Sequence, residues 1–356
     1  MSKPKRTPKA FEGKDFFVGI DVHKKQWTVT IRHQGLSLKT LSMDPSPEAV
    51  RGHLERHYPG GVYPLAYEVG FCGFWIQRRF RDLGLDCIVV NAADIPTAHK
   101  DKDRKEDPVD SRKIARELEK GELRCIYIPS EEDQHLRSLS RLYHREVENV
   151  TRVKNRIKEH LYFNGIELPR HSSHWSGRFI APLRSLPLDK GPSKDCLDLW
   201  LEELDQHCRR LVEVLQKLRW YVRQSGREEV FQKLMSVPGV GFKIGVTLYA
   251  EIMDIRRFRS PDHLKSYAGL VPSTASSGEK ERVRGMTYRR NRYVRYAIIE
   301  AAWVAIRNDG ALLATYNRLI VRMNKQEAIT RIAKKLLNRI RYVWSEDSAY
   351  VKGVPG

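Results

Sequence analysis

The chain has 356 residues, 41% of them hydrophobic, enough to bury a substantial core and to divide into two or three domains. Sixty-four Lys and Arg against forty-four Asp and Glu leave a net charge of +20, which points to a polyanionic partner such as nucleic acid. The mean hydropathy of −0.54 and the lack of any apolar run of about eighteen residues argue against a membrane-spanning protein.

Residues 1–14 are basic, carry Pro4 and Pro8, and have no apolar signal-peptide core, so they are expected to form a flexible tail of a cytosolic protein. Phe16-Phe17-Val18-Gly19-Ile20-Asp21, then Trp27-Thr28-Val29-Thr30-Ile31, then residues 36–43 have strand content and predict a hairpin-linked sheet. Ser46-Pro47-Glu48 opens a helix to about His57, and Pro64-Leu65-Ala66-Tyr67-Glu68-Val69 is a fourth strand. A helix over 74–83 and the strand Cys87-Ile88-Val89-Val90 follow, then a charged loop over 98–106 and a helix beginning at Asp107. That order resembles a ribonuclease H-like domain, whose active site collects carboxylates from the first strand, the fourth strand and a later helix.

From about Glu131 the period becomes helical, with Leu136, Leu139, Tyr143, Val147, Val150, Ile157 and Leu161 on one side. Leu197, Leu201, Leu204, Cys208, Leu211, Leu215, Leu218 and Val222 then alternate by four and three, the pattern of a coiled-coil seam. A Pro/Gly/Ser-rich stretch over 165–193 separates the two helices, which either fold back as a hairpin or pair with another subunit. Val237-Pro238-Gly239-Val240-Gly241 between helical segments resembles a helix-hairpin-helix, whose turn offers N–H groups to a phosphate through Pro238, Gly239 and Gly241, with Lys243 beside them. The same glycines equally suit a tight connection between packed helices. The remainder reads as helices ending in 326–344, apart from a loop over 269–292. Five cysteines (Cys72, Cys87, Cys125, Cys196, Cys208) stand singly without CxxC spacing, which suggests neither a disulfide framework nor structural zinc, and a reducing compartment.

Asp107 and Asp110, three apart at a helix start, project from one face and can share a divalent cation. Asp107 before Pro108 is also an ordinary helix start, with Asp as N-cap. Asp21 and Glu68 fall at the other two ribonuclease H-like positions. Four converging acids repel unless cations neutralise them, and two Mg²⁺ ions, with Mn²⁺ as the alternative, would do so while activating a phosphodiester. The second candidate site is Ser273-Thr274-Ala275-Ser276-Ser277-Gly278. Residues 280–295 after it hold seven basic residues (Lys280, Arg282, Arg284, Arg289, Arg290, Arg292, Arg295) against Glu281, with Tyr288 and Tyr293 interleaved, a pattern suited to phosphates and stacked bases.

Five blocks carry a resemblance: Gly19-Ile20-Asp21-Val22-His23-Lys24; Tyr67-Glu68-Val69-Gly70; Asp107-Pro108-Val109-Asp110-Ser111-Arg112-Lys113; Val237-Pro238-Gly239-Val240-Gly241; and Tyr267-Ala268-Gly269-Leu270-Val271-Pro272 followed by Ser276-Ser277-Gly278. In order and spacing they resemble the IS-one-ten family, the DEDD transposases of bacterial and archaeal insertion sequences. The resemblance implies an α/β plus α architecture: a RuvC-like domain over 15–128, a coiled-coil middle over 129–226 and a transposase domain over 227–356. It implies that Asp21, Glu68, Asp107 and Asp110 bind metal and that Ser277, with Ser276 as fallback, forms a covalent phosphoserine link to DNA. It further implies a composite site uniting subunits of a dimer or tetramer, donor and target DNA chosen with a structured noncoding guide RNA, and a cytoplasmic, nucleoid-associated location. Where the family often has Lys-x-Gly-Asn, this chain has Tyr288-Arg289-Arg290-Asn291. The alternatives are a RuvC-like junction nuclease without a covalent step, and a non-catalytic RNA- or DNA-binding protein.

Overall fold

The computed structural model describes residues 11–95, 107–168, 175–186, 191–277, 280–286, 290–346 and 348–352, so the tail over 1–10 and the charged loop over 98–106 lie outside the described residues. The chain forms two compact units, Met1–Ile128 and Pro129–Gly356.

The first unit is a five-stranded sheet in the order β3-β2-β1-β4-β5, built from β1 (Phe17–Val22), β2 (Trp27–His33), β3 (Leu36–Met43), β4 (Leu65–Glu68) and β5 (Cys87–Val90). β1 runs antiparallel to β2 and parallel to β4, and β4 runs parallel to β5. Helix α1 (Pro47–His57) starts where Ser46 caps it, its hydroxyl accepting from the Ala49 amide, and Glu48 complements the positive end. With α2 (Trp75–Asp82) it covers a core of Val18, Ile20, Val29, Ile31, Leu65, Tyr67 and Val89. Alternation puts every second residue of the strands on the opposite face, where Gly19, Thr30 and Ala66 lie abreast. There the third helix, α3 (Asp107–Glu119), packs on β1, β2 and β4. Residues 11–14 are not part of a free tail: Phe11 packs edge-on against Phe16, and its amide donates to Pro59 O.

In the second unit, α4 (Glu131–Phe163) and α6 (Pro192–Gln224) lie antiparallel along each other, since Arg156 pairs with Glu203 and Glu146 with His207. The Pro/Gly/Ser-rich linking stretch contains α5 (Gly177–Arg184), which buries Phe179 and Leu183 against the pair. α7 (Glu228–Ser236), α8 (Phe242–Ile252), α9 (Pro261–Tyr267), α10 (Arg292–Asn308), α11 (Gly310–Ile320) and α12 (Lys325–Ser345) share one core with the start of α4 and the end of α6. The segment expected to be a loop over 269–292 is instead largely a two-stranded antiparallel hairpin, β6 (Pro272–Ser277) and β7 (Lys280–Met286). Its Ser, Thr and basic composition hides the strands, because their stabilisation is backbone pairing with no apolar stripe to mark it. Among the described residues no helix is long and apolar enough to cross a membrane.

Candidate active site

Gly19 sets the position of α3. A methyl group on it would lie 2.3 Å from the Ser111 carbonyl oxygen and 2.4 Å from the Ala115 amide nitrogen, so the helix backbone rests directly on β1. Ser111, fully buried, shares a hydrogen bond with Thr30 (Oγ to Oγ1, 2.9 Å). At the far end of the helix Glu119 accepts from Arg32 Nε at 2.7 Å and from the Gly35 amide at 2.6 Å. α3 is thus held to the sheet through Ser111 and Ala115 and, at its C-terminal end, through Glu119.

The acids follow from that seat. Asp21 is two residues beyond Gly19 and Glu68 two beyond Ala66, one step past the last paired residues Ile20 and Tyr67, so both stand on the α3 side of adjacent parallel strands. Asp110 directly precedes Ser111. Asp21 and Glu68 thus stand at the ends of adjacent strands, and Asp110 on the helix that packs over them. Asp21 Oδ2 lies 3.0 Å from His23 Nε2, and Asp110 lies 4.0 Å from Lys113 Nζ. Glu68, the last residue of β4, is exposed although Leu65, Ala66 and Tyr67 before it are buried. Asp107 is the first residue of α3, which makes Pro108 the second; its side chain lies outside the described residues.

All four acids offer hard carboxylate oxygens, a donor set that suits a divalent cation of the Mg²⁺ or Mn²⁺ kind. Among the described residues no three His, Cys, Asp or Glu side chains are grouped so that they could hold a metal ion, so Asp21, Glu68 and Asp110 do not by themselves form a ligand set. Nothing in the sequence marks His23 as a partner of Asp21: it lies one residue past the end of β1, where strand alternation no longer applies.

Ser276 and Ser277 end β6, in register with Glu281 and Lys280 of β7; the side chains of Ser276, Ser277, Lys280, Arg282 and Arg284, and all of Gly278, Tyr288 and Arg289, lie outside the described residues. The root of this hairpin is described in full. Glu251, completely buried in the otherwise apolar end of α8, accepts from Arg141 Nε at 2.7 Å and Arg141 Nη2 at 2.9 Å, and from Asn291 Nδ2 at 2.7 Å. The hydrogen bonds to Glu251 raise the Arg141 guanidinium above its ordinary pKa. Asn291 Nδ2 also donates to the Tyr267 hydroxyl at 2.9 Å, and its Oδ1 caps α10 by accepting from the Tyr293 and Val294 amides. Tyr267 precedes the hairpin and Asn291 follows it; the Glu251 carboxylate accepts from Asn291 and the Glu251 main-chain carbonyl accepts from the Tyr267 hydroxyl at 2.9 Å, so one residue bonds both flanks. The lone acid in an apolar helix was the signal that could have found Glu251. The departure at Arg290 has a local counterpart: Gly269, at φ +66°, leaves room for the Arg290 side-chain stem, whose Cβ would lie 2.3 Å from a methyl group there.

Pro238, Gly239 and Gly241 form the turn between α7 and α8, with Gly241 as N-cap of α8 and Lys243 in its first turn. Gly239, at φ +84°, approaches the Ala301 carbonyl of α10 so closely that a methyl group would sit 2.1 Å from it. That contact accounts for one glycine by packing alone. Arg292 pairs with Glu148 at 3.2 Å, and Arg295 donates to Gly269 O at 2.5 Å.

Comparison with known proteins identifies two domains. A DEDD domain of the IS110 group, described as a transposase, matches residues 18–164, and a domain described as "Transposase IS116/IS110/IS902 family" matches residues 231–317. The protein named "Putative transposase y4qE" of Sinorhizobium fredii is 28% identical over 296 residues, covering 82% of this chain and 72% of its own. The "Transposase for insertion sequence element IS1111A" of Coxiella burnetii is 26% identical over 240 residues, 67% of this chain and 64% of its own. That for insertion sequence element IS1328 of Yersinia enterocolitica is 22% identical over 259 residues, 70% and 75%.

Proposed function

The chain belongs to the IS110 family of insertion-sequence DNA transposases, and from that premise we propose that it cuts and joins DNA through a serine nucleophile working with a carboxylate metal site. Asp21, Glu68, Asp107 and Asp110 would hold the divalent ions, Mg²⁺ by preference, and a bound ion would polarise the scissile phosphodiester. The observation that supports this reading is the close seat of α3, the helix that carries Asp107 and Asp110, on Gly19 of the strand that carries Asp21.

The chemistry asked of the chain's own residues is limited. The Ser277 hydroxyl loses its proton, its oxygen attacks the phosphorus in line, and a DNA oxygen leaves with the electron pair of the broken P–O bond and takes up a proton. The bond energy is kept in the phosphoserine link, so the strands can be rejoined without ATP. The basic residues of β7 and the turn at Pro238, Gly239, Gly241 and Lys243, acting as a helix-hairpin-helix, would hold the DNA backbone. The α4–α6 pair would act as a coiled-coil arm that brings subunits together, so that acids and serine meet from different chains, with a guide RNA selecting donor and target.

The test incubates protein, Mg²⁺, guide RNA and cognate DNA and looks for a protease-sensitive protein–DNA adduct. The adduct should vanish in Ser277→Ala and on chelation of the metal. An adduct that survives in Ser277→Ala overturns the assignment, and free nicked ends with no adduct in the wild type would favour the junction-nuclease reading.

A further inference from the structure

Between α4 and the start of α10 lies a groove of about 640 Å³, lined by His144, Glu148, Arg152, Asn155, Arg292 and Tyr296 among others. We propose that it holds a single unpaired nucleotide, its base stacked on Tyr296 and its phosphate met by Arg152 and Arg292. The proposal rests on the transposase reading only for its biological setting.

The volume falls in the range of small-molecule sites, about 300–1,000 Å³. Two tyrosines face the groove, and they differ. The Tyr293 ring is engaged by the guanidinium groups of Arg141 at 5.1 Å and Arg292 at 4.8 Å. Tyr296 is 53% exposed and meets His144 in a T-shaped contact, at 86° between rings, with about half of the residue open to solvent. Its neighbours Val294, Ala297 and Ile298 are fully buried, so α10 is fixed and the ring is presented on a rigid support. Around it stand two guanidinium groups for phosphate and the Asn155 amide for a base edge. Glu148, the one acid of the lining, pairs with Arg292 and so removes part of that charge. A base inside a duplex has both faces covered by its neighbours, so an aromatic platform of this kind selects an unpaired one. The site is also local to the chemistry, since α10 begins directly after Asn291, which anchors the serine hairpin.

The experiment uses the full chain, metal-free so that no cleavage intervenes, and measures fluorescence anisotropy with a short single-stranded DNA, an RNA of the same sequence, and the blunt duplex. Tyr296→Ala should weaken single-strand binding about tenfold, within the range base stacking supports, and change duplex binding by less than about twofold. Tyr296→Phe should bind as the wild type, and Arg152→Ala should lower the salt dependence of single-strand binding by about one phosphate contact. Preference for DNA or for RNA identifies the strand that supplies the nucleotide, and either keeps the proposal. Unchanged single-strand binding in Tyr296→Ala, or equal losses for single strand and duplex, overturns it. Loss of adduct in Ser277→Ala is a separate result, because no covalent chemistry enters the binding measurement.

Discussion

Gly19→Ala tests the link between packing and catalysis. The new methyl carbon would stand 2.3 Å from Ser111 O, 2.4 Å from Ala115 N and 2.9 Å from Ala115 Cβ. The first two are backbone atoms and cannot rotate away. Carbon contacts relax near 3.5 Å, so α3 has to retreat by about 1 Å. Forcing that much into a packed interior costs about 1–3 kcal/mol, a fall in Tm of about 3–10 °C for a unit of this size. Asp110 moves with the helix, and metal sites tolerate errors of only about 0.2 Å in ligand distance. A misplacement of about 1 Å can cost about a hundredfold in rate. Strand transfer on element DNA should therefore fall at least about a hundredfold, a far larger loss than the stability change explains at a temperature where the variant remains folded. Gly52→Ala is the control: it lies in α1 with nothing within 4 Å, and should be neutral or slightly stabilising. Wild-type Tm in Gly19→Ala would refute the packing argument. A lowered Tm with full strand transfer would refute the claim that the seat of α3 positions the acids.

Two further outcomes follow from the second unit. Asn291→Ala removes the hydrogen bonds to Glu251 and Tyr267 and the cap of α10, and should destabilise by about 2–4 kcal/mol in urea unfolding. Asn291→Asp, which keeps the cap but sets a second carboxylate against Glu251, should be no better, and wild-type stability in either variant would contradict the role given to Asn291. Burial pushes the Asp309 carboxyl up, but hydrogen bonds from Tyr350 and the Leu312 amide and the charge of Arg339 outweigh it and hold the pKa below the ordinary 3.8. A depressed carboxylate stabilises in full above its unfolded pKa and loses that contribution as pH falls through the folded value. Unfolding midpoints should accordingly decline below about pH 4, and Asp309→Asn should flatten that limb while lowering stability near neutrality.

The first unit was legible because its strands carry their own period. Val18, Ile20, Val29 and Ile31 alternate with smaller or polar residues, Ser46-Pro47 marks a helix start, and the carboxylates fall at strand and helix ends. What the sequence did not show is why Gly19 and Ala66 are small. Only the register, which sets them side by side under α3, turns two unremarkable residues into the floor on which that helix rests. The hairpin carrying Ser277 was missed for the opposite reason, since its strands have no apolar face. Glu251 shows in the sequence only as a lone acid in an apolar helix, because its partners, Arg141 and Asn291, stand 110 and 40 positions away.

The long helices show how a regular pattern can mislead. A strict seven-residue repeat drifts by about 20° per heptad on a straight helix, so one stripe cannot face one partner over 33 residues without supercoiling. In α6 the stripe holds through Leu197, Leu201 and Leu204, which join Val150, Val153 and Ile157 in one core. It then slips: Cys208 is exposed, and burial resumes at Val214, Leu218 and Val222 in the core of the C-terminal helices. At the slip Glu146, 3% exposed, accepts from His207 Nδ1 at 2.7 Å with Arg210 at 3.8 Å. A buried carboxylate needs those partners, and an apolar side chain in place of His207 would leave it without the nearest of them. The polar layer therefore fixes the register of the antiparallel pair at the point where the apolar repeat loses it.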